Sequence, residues 1–441
     1  MTTQERAITY HTLMLGPLTR TGDALAEITA QDETGEQGVL ALPIAAGLPG
    51  ERVTIAVEEP EPTRPGRHRR RWRPRPPRAW ITEIHEASPL RTQAPCPVFG
   101  VCGGCQLQHM RYEAQLAWKR AVVQDLLREV GGFAQPPLLA TVPCDDPWHY
   151  RNHMRFSVNR AGQPGLTARG THRVLPLTSC PIAHQRINQA LDILARHANA
   201  RPQALIRCGT ATGQVLIQPQ PEAEVARELT EAGIDLRQDT MEEMLAGETF
   251  RIRPSSFFQT NTAQAEKMVS MVLAGLLDEG PPETHTSQAR TDQSARELTI
   301  VDAYCGVGTF ALLLAHHAAQ VIAIEESASA IKDAQWNLRH VNNVEIRKGK
   351  VEELLPALAQ RIDGLVIDPP RAGCQPVVLD ALVQHPVARV VYVSCEPATL
   401  ARDLNILCHL HPTYRLRSVQ PLDMFPQTAH IECVAVLERQ L

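Results

Sequence analysis

Two residues near the end of the chain have the types and positions that covalent chemistry on a ring would need. Cys395 follows the apolar run ARVVYVS and precedes EPATLARDL, so it lies where a buried strand gives way to a helix. Glu432 lies in HIECVAVLE, an otherwise apolar strand where an ionised carboxylate is costly to bury. A thiolate can add to an electron-poor ring, and a carboxylate can then remove a proton so that the sulfur is eliminated. Each residue alone has a simpler interpretation, because cysteine is often buried in cores and glutamate often pairs with arginine.

The segment LTIVDAYCGVGTFALLLA predicts a strand, a glycine turn and a helix that together approach a ligand. Gly306 in the turn and Glu325, which ends the strand VIAIE 19 residues later, match a nucleoside site whose acid binds the ribose hydroxyls. The third glycine of a dinucleotide fingerprint is missing, which favours S-adenosylmethionine (SAM), a ligand without pyrophosphate. Tyr304 and Thr309 flank the turn, where a ring can pack on the ligand and a hydroxyl can bond to it. Upstream, Gln259 in RPSSFFQTN is most simply a helix-entry residue.

The segment GLVIDPPRAGC indicates which atom would accept the methyl group. Amine methylases of this fold usually have an aromatic residue after the two prolines that follow Asp368, and Arg371 stands there instead. A ring carbon therefore remains as the target. C5 of uracil becomes nucleophilic enough only after a thiolate adds to C6, which gives Cys395 and Glu432 complementary roles. His430 falls two residues before Glu432 on the same side of that strand, either to orient the carboxylate or to fill space.

A second group of cysteines predicts a metal site. Three of them share one short segment with the spacing C-x5-C-x2-C: Cys96, Cys102 and Cys105. Cys180, in TSCPIAH, is the best candidate for a fourth ligand, and four thiolates fit either zinc or an iron–sulfur cluster. His109 is the alternative fourth ligand, although a hydrogen-bonded residue near the site is the preferred interpretation. Cys144 and Cys208 are unclustered and read as small core residues.

Composition limits the compartment and the partners. The chain has 441 residues, a hydrophobic share of 43% and a net charge of −4, with no secretion signal and no run long enough to span a bilayer. We therefore expect a cytoplasmic, monomeric protein without a membrane partner. The 11 cysteines then suit metal binding or catalysis better than disulfides. Charge is uneven, since residues 64–78 contain eight arginines and no acid, which is typical of either an RNA-binding loop or a solvated loop.

Changes in pattern along the chain predict three domains. Residues 1–86 read as short strands with turn residues, which favours a small RNA-binding β-barrel. Residues 87–250 form a cysteine-marked α+β middle. From 251 to 441 strands and helices alternate, which predicts a doubly wound, Rossmann-like sheet interrupted by a polar loop at 280–297.

With these motifs assembled, the chain resembles the RNA 5-methyluridine methyltransferases, in particular the iron–sulfur branch that methylates 23S ribosomal RNA. FFQTN, DAYCGVGTF, DPPRAG, VSCEPATLARDL and HIECVAVL occur in the family's order, and SPLRTQAPCPVFGVCGGCQLQHM is similar to its cluster segment. The N-terminal strands look like its TRAM domain, a β-barrel that binds RNA. The resemblance implies base flipping of a uridine, because C5 and C6 are inaccessible within a stacked helix.

The resemblance also implies a role for each matching residue. Cys395 would be the nucleophile and Glu432 the base. A [4Fe–4S] cluster would be held by Cys96, Cys102, Cys105 and Cys180. SAM would be bound at Gly306 and by the side chains of Gln259, Tyr304, Thr309, Glu325 and Asp368.

Two residues near the predicted site differ from those that the family usually has. Glu396 replaces the asparagine that usually follows the nucleophile, and a nearby acid can raise the pKa of a thiol. Thr309 replaces the asparagine of some members.

Transfer RNA is an alternative substrate, because relatives acting on it share the catalytic half. Cys374 supports a 5-methylcytosine methyltransferase, although it lies six residues beyond Asp368 rather than directly after an Asp-x-Pro. A non-catalytic iron–sulfur RNA-binding protein is the remaining alternative.

Overall fold

The structure is a computed structural model that describes residues 8–31, 37–58, 77–198, 201–277 and 298–440. The arginine run at 64–78 lies outside these ranges except for its last two residues, and the polar segment at 280–297 lies wholly outside them. The chain divides into two compact units. The first unit comprises Met1–Gln115, Ala168–Gly170 and Gln427–Ala429, and the second comprises the remaining residues. The predicted division into three domains stays a prediction.

The first unit contains the predicted N-terminal strands. They are β1 (Ile8–Met14), β2 (Ala24–Gln31), β3 (Gln37–Ile44), β4 (Arg52–Glu58) and β5 (Arg78–Glu86). β1, β4 and β5 form one antiparallel sheet and β2 and β3 a second. Alternating apolar residues from both sheets share one core, which includes Leu15, Ile44 and Ile55.

Most of α1 (Tyr112–Glu129) belongs to the second unit, which begins at Leu116; the first turn of this helix is counted with the first unit. A six-stranded sheet follows, in the order β11-β10-β9-β6-β7-β8. Its strands are β6 (His153–Val158), β7 (Pro164–Thr167), β8 (Val174–Pro176), β9 (Gln203–Cys208), β10 (Gln214–Gln218) and β11 (Asp235–Arg237). Its helices are α2 (Gln185–Arg196) and α3 (Ala223–Glu231), and the hairpin of β12 (Met241–Leu245) and β13 (Glu248–Ile252) comes next.

The C-terminal part of the second unit is the predicted doubly wound sheet, in the order β16-β15-β14-β17-β18-β20-β19. Its strands are β14 (Thr299–Ala303), β15 (Gln320–Glu325), β16 (Val344–Lys348), β17 (Gly364–Ile367), β18 (Arg389–Ser394), β19 (Tyr414–Leu422) and β20 (Glu432–Arg439). β14 to β18 are parallel, whereas β20 runs antiparallel to both β18 and β19. Four neighbouring strands of this sheet are almost wholly apolar because helices cover both of its faces: β15, β14, β17 and β18.

Helices pack on the two faces of this sheet. They are α4 (Thr262–Leu277), α5 (Thr309–Ala315), α6 (Ala328–Asn337), α7 (Val351–Leu354), α8 (Pro376–Gln384) and α9 (Pro397–Asn405), which continues as a π-helical turn (Ile406–Leu410). α4, α5 and α6 contribute to the core on one face, and α7, α8 and α9 to the core on the other. None of the helices in the described ranges is long and apolar enough to cross a membrane.

Candidate active site

The parallel strands bring the predicted site residues to one edge of the sheet. Ala303 pairs with Ile367, and Ile367 pairs with Tyr392, so the loops that follow β14, β17 and β18 leave the sheet side by side. These loops begin at Tyr304, at Asp368 and at Cys395. Because strand order reverses next to β14, this edge is where an open α/β sheet has room for a ligand.

The glycine turn and Glu325 meet as the sequence predicts. Gly306 has a φ of 57° and donates its N–H to Oε2 of Glu325 at 2.9 Å. The other carboxylate oxygen of Glu325 accepts from the backbone of Ser327 at 2.7 Å, so the acid is held at the end of β15. A Cβ at Gly306 would meet no atom within 4 Å, which indicates open space beside the turn. Thr309 begins α5 on the other side of the turn and is half-buried.

Tyr304 occupies a strained position next to this turn. Its φ is 66°, in the left-handed region that a bulky residue seldom adopts. Its hydroxyl donates to Glu352 in α7 at 3.1 Å, which holds the ring beside that helix. Such strain at the carboxyl edge of β14 is typical of a ligand site.

Gln259 is held at the entrance to α4 by a residue that sequence reasoning did not single out. The side-chain amide of Asn152 donates to the backbone oxygen of Gln259 and to the hydroxyl of Thr262, each at 3.0 Å. The backbone N–H of Asn152 donates to the oxygen of Thr260 at 2.9 Å. Asn152 is 107 residues from Gln259, so no local sequence pattern could reveal this contact.

Cys395 and Glu432 lie together, as the proposed chemistry requires. Ser394 pairs with Cys433 in the antiparallel β18–β20 ladder, and continuing this register by one residue places Cys395 opposite Glu432. Cys395 is half-buried, whereas Glu432 is 3% exposed. Burial and the carboxylates of Glu432 and Asp368 raise the pKa of Cys395 to about 11. The thiol is therefore protonated at neutral pH in the ligand-free protein.

The carboxyl groups around the sulfur also favour their protonated forms. Burial, and then the charge of Asp368, raises the pKa of Glu432 well above its ordinary value. Burial raises the pKa of Asp368 to about 7. The acids that raise the pKa of Cys395 are Glu432 and Asp368, and an effect of Glu396 on that thiol stays a prediction.

Arg371 is a functional candidate that the sequence showed only as a missing aromatic residue. Its charge and its side-chain interaction with the thiol lower the pKa of Cys395. The same charge opposes the upward pKa shift of Glu432. Arg371 thus stabilises both anions that the chemistry needs.

His430 does not occupy the predicted position. β20 begins at Glu432, so the alternation of a strand does not extend back to His430. Its imidazole instead packs edge-on against the ring of Phe425, with centroids 5.9 Å apart.

Cys374 belongs to a buried network that supports the loop between Asp368 and α8. Cys374 is 3% exposed, and burial raises its pKa to about 12. The carboxylate of Asp403 accepts from the backbone N–H of Cys374 at 2.9 Å and from the hydroxyl of Tyr392 at 2.7 Å. These contacts are structural, which disfavours Cys374 as a second catalytic thiol.

The other cysteines were predicted to bind a metal. Cys102 is buried, and burial, with a smaller effect of Cys96, raises the pKa of its thiol. Within the described ranges, no group of three or more His, Cys, Asp or Glu side chains is arranged to hold a metal ion. The structure therefore does not support the cluster, and ligation by Cys96, Cys102, Cys105 and Cys180 stays a prediction. His109 is buried, and its Nε2 lies 3.1 Å from the backbone oxygen of Gly47.

The fold and this edge of the sheet define a SAM-dependent methyltransferase, and comparisons identify its family. Residues 223–440 match the family model for tRNA (uracil-5-)-methyltransferases. An uncharacterized RNA methyltransferase of Gloeobacter violaceus is 37% identical, with 81% of this chain and 85% of the relative covered. Another from Bacillus cereus is 30% identical over 95% of this chain and 96% of the relative. The chain belongs to the RNA methyltransferases, and its C-terminal part matches the uracil-5-methyltransferase model.

A solved structure has the same overall fold. The tRNA (uracil-54, C5)-methyltransferase of Pyrococcus abyssi, in complex with S-adenosyl-L-homocysteine, has a TM-score of 0.68 and 22% sequence identity. The similarity covers 97% of this chain and 100% of that one. Its family match and its relatives make the protein an RNA methyltransferase, and the SAM-dependent class follows from its α/β, Rossmann-like catalytic fold.

Proposed function

We propose that this enzyme methylates C5 of a uridine in RNA, with 23S ribosomal RNA as the substrate, through a covalent bond between Cys395 and C6 of the base. The observation that carries the proposal is the placement of Cys395 opposite Glu432, beside the loop of Asp368 and Arg371. A packed core cysteine would need neither a buried carboxylate opposite it nor an arginine whose charge lowers the pKa of its thiol. This arrangement favours catalysis over the non-catalytic alternative.

The reaction balances with these groups. The Cys395 thiol loses its proton to solvent and Arg371 favours the resulting thiolate, whose sulfur adds to C6 and moves the ring electrons toward C5. SAM would supply a methyl group on a positively charged sulfur; C5 takes that methyl group, and the rest of the donor leaves as a neutral thioether. Glu432, as the carboxylate, then removes the proton from C5; the C5–C6 double bond reforms and the bond from C6 to sulfur breaks. The proton remains on Glu432 until solvent or the departing thiolate accepts it.

The residues proposed to bind SAM surround the turn after β14. Glu325 would accept the ribose hydroxyls, and Gly306 would allow close approach of the ligand. Tyr304 would pack against it. The side chains of Gln259, Thr309 and Asp368 would complete the site. The support is the contact between Gly306 and Glu325, together with the open space at Gly306.

The identity of the methylated nucleoside tests the proposal. The protein would be incubated with SAM labelled in its methyl group and with ribosomal or transfer RNA from a strain lacking the gene, and the nucleosides separated. We expect label in 5-methyluridine from 23S ribosomal RNA. Label in 5-methylcytidine alone would contradict the reaction. Label confined to transfer RNA would keep the reaction but replace the substrate.

Transfer RNA is the second candidate substrate. The matching family model and the Pyrococcus abyssi structure are both described as tRNA methyltransferases. The RNA arms of the labelling experiment separate the two substrates directly.

We further propose that the N-terminal strands form a TRAM-like RNA-binding barrel and that Cys96, Cys102, Cys105 and Cys180 hold a [4Fe–4S] cluster. The spacing C-x5-C-x2-C supports the cluster, and the five strands around one core support the barrel. Anaerobic purification followed by iron, sulfide and zinc analysis tests the cluster. We expect iron and sulfide with broad visible absorbance, both lost in Cys102→Ser and retained in Cys208→Ser. Zinc without iron in the wild type would contradict it.

A further inference from the structure

Arg151 is a half-buried arginine of the second unit without a carboxylate partner in the described residues. Its Nε donates to the backbone oxygen of His153 at 3.2 Å, and its terminal nitrogens make no hydrogen bond within the described ranges. Guanidinium groups are strong bidentate donors, so terminal nitrogens left without an acceptor in a partly buried position are available for a ligand.

A second buried arginine nearby shows the contrast. Arg207 is 2% exposed, but its terminal nitrogens donate to the backbone oxygens of Arg253 at 3.1 Å and Ser256 at 2.9 Å, and contact Nδ1 of His153 at 3.1 Å. In the folded chain the terminal N–H groups of Arg207 are therefore hydrogen-bonded to other protein atoms. The terminal N–H groups of Arg151 are not hydrogen-bonded to any atom of the described residues.

The backbone of Arg151 is fixed at the edge of the candidate site. Its N–H donates to the oxygen of Ile182, and its oxygen accepts from the N–H of His184, each at 2.9 Å. The side-chain amide of the next residue, Asn152, donates a hydrogen bond to the backbone oxygen of Gln259. A group on this segment is therefore presented rigidly beside the loop that enters α4, which is how a recognition side chain gains precision.

Positive charge converges on the side of the site where His430 lies. Desolvation, and then the charges of Arg371, Lys119 and Arg151, lowers the pKa of His430. Lys119 is neutralised by a fully buried ion pair with Asp423, with Nζ and Oδ1 2.5 Å apart. Arg371 lowers the pKa of the Cys395 thiol, the proposed nucleophile. Lys119 thus has a carboxylate partner and Arg371 a proposed role at the sulfur, whereas the proposed reaction assigns no anion to Arg151.

We propose that Arg151 binds an RNA phosphate next to the uridine that enters the site. This inference rests on the proposed function. A flipped base leaves its stack by rotation about the RNA backbone, so the phosphates on either side must be held against the enzyme. An arginine binds a phosphate with two parallel N–H donors, and neutralising one phosphate adds one ion to the salt dependence of binding.

Three variants test this role. Arg151→Gln removes the charge, Arg151→Lys keeps it without the paired donors, and Arg160→Gln removes one charge from an exposed turn as the control. The dissociation constant for the RNA substrate would be measured from low to high salt, with SAM affinity and thermal midpoint measured on the same preparations. We expect Arg151→Gln to bind RNA about tenfold more weakly, with a slope of log Kd against log salt smaller by about 1.

The remaining readouts separate this inference from the proposed function. We expect SAM affinity and thermal midpoint to stay at wild-type values, Arg151→Lys to keep the wild-type salt slope but only part of the affinity, and Arg160→Gln to match the wild type. Arg151→Gln with wild-type RNA affinity and salt slope would overturn the inference, even if the wild type forms 5-methyluridine. If the wild-type protein forms no methylated uridine, the proposed function is contradicted. If Arg151→Gln nevertheless weakens RNA binding, the phosphate contact stands.

Discussion

The reactivity of Cys395 depends on opposing charges at the level of single residues. Burial and two carboxyl groups, Glu432 and Asp368, disfavour the thiolate, whereas Arg371 favours it. In the ligand-free protein these effects together raise the pKa of the thiol to about 11, which favours its protonated form at neutral pH. Binding of a cationic methyl donor beside these carboxyl groups would shift that balance toward the anions.

Glu432→Gln should separate the first half of the reaction from the second. An amide cannot remove the C5 proton, so the methylated adduct would persist on Cys395. We expect a covalent protein–RNA complex with ordinary uridine-containing RNA, and product release slower by about 100-fold or more. Denaturing gels with labelled RNA measure the complex. Glu438→Gln, on the same strand, is the matched control, and unchanged turnover in Glu432→Gln would exclude Glu432 as the base.

Arg371→Gln should shift the pH dependence of Cys395 toward higher pH. Arg371 lowers the pKa of the thiol, so its removal raises a value that is already about 11. Iodoacetamide alkylation of the peptide containing Cys395, followed by mass spectrometry across pH, measures the shift. Arg371→Lys should retain part of the effect, and Arg361→Gln, at an arginine that is 89% exposed, should have none. Identical profiles for Arg371→Gln and the wild type would rule out this charge effect.

At the scale of elements, Asp403 in α9 connects two catalytic loops. It receives hydrogen bonds from the backbone of Cys374, in the loop that carries Asp368 and Arg371, and from Tyr392 in the strand that leads to Cys395. Arg402 also donates to it at 2.8 Å. The spacing of the two loops therefore depends on one carboxylate that is wholly buried.

Asp403→Ala should loosen this connection without affecting the methyl donor. Leaving the Tyr392 hydroxyl and the Cys374 N–H without an acceptor should cost about 1–3 kcal/mol of stability each. We expect a lower kcat with nearly unchanged SAM affinity, measured by steady-state kinetics and calorimetry. The exposed Asp380→Ala in α8 is the control. Equal losses of kcat and SAM affinity would indicate general unfolding rather than displaced loops.

Sequence patterns predict the elements of this site better than its internal contacts. The apolar runs before Asp302, Asp368 and Cys395 mark parallel strands, because strands covered on both faces are apolar throughout. The pairing of β18 with β20, which places Glu432 opposite Cys395, skips a strand and requires the sheet order. Contacts made by Asn152 and Asp403 join distant segments and have no local pattern.

At the scale of the whole molecule, a buried carboxyl group makes stability depend on pH. Asp302, near the end of β14, is fully buried, and burial, with a smaller effect of the charges of Asp368 and Glu325, raises its pKa to about 8. A carboxyl group whose pKa is raised by folding contributes stability below its unfolded value of 3.8. That contribution is lost as the pH rises through the folded value.

Asp302→Asn should remove this pH-dependent loss. We expect the thermal midpoint of the variant minus that of the wild type to grow between about pH 4 and pH 8 and then to level off, because the amide cannot ionise. Differential scanning fluorimetry across pH measures the difference. Asp380→Asn, at an exposed aspartate, should give a difference that does not vary with pH. A constant difference for Asp302→Asn would show that Asp302 ionises as easily in the folded chain as in the unfolded one.

The most direct test of the central claim is capture of the base on Cys395. RNA containing 5-fluorouridine at the target position would be incubated with SAM-loaded protein, digested, and analysed by mass spectrometry. Fluorine replaces the proton that Glu432 must remove, so a methylated nucleotide should remain attached to the Cys395 peptide, and Cys395→Ser should form none. Protein that binds SAM and RNA yet forms no adduct, or forms it on another cysteine such as Cys374, would contradict the proposed mechanism.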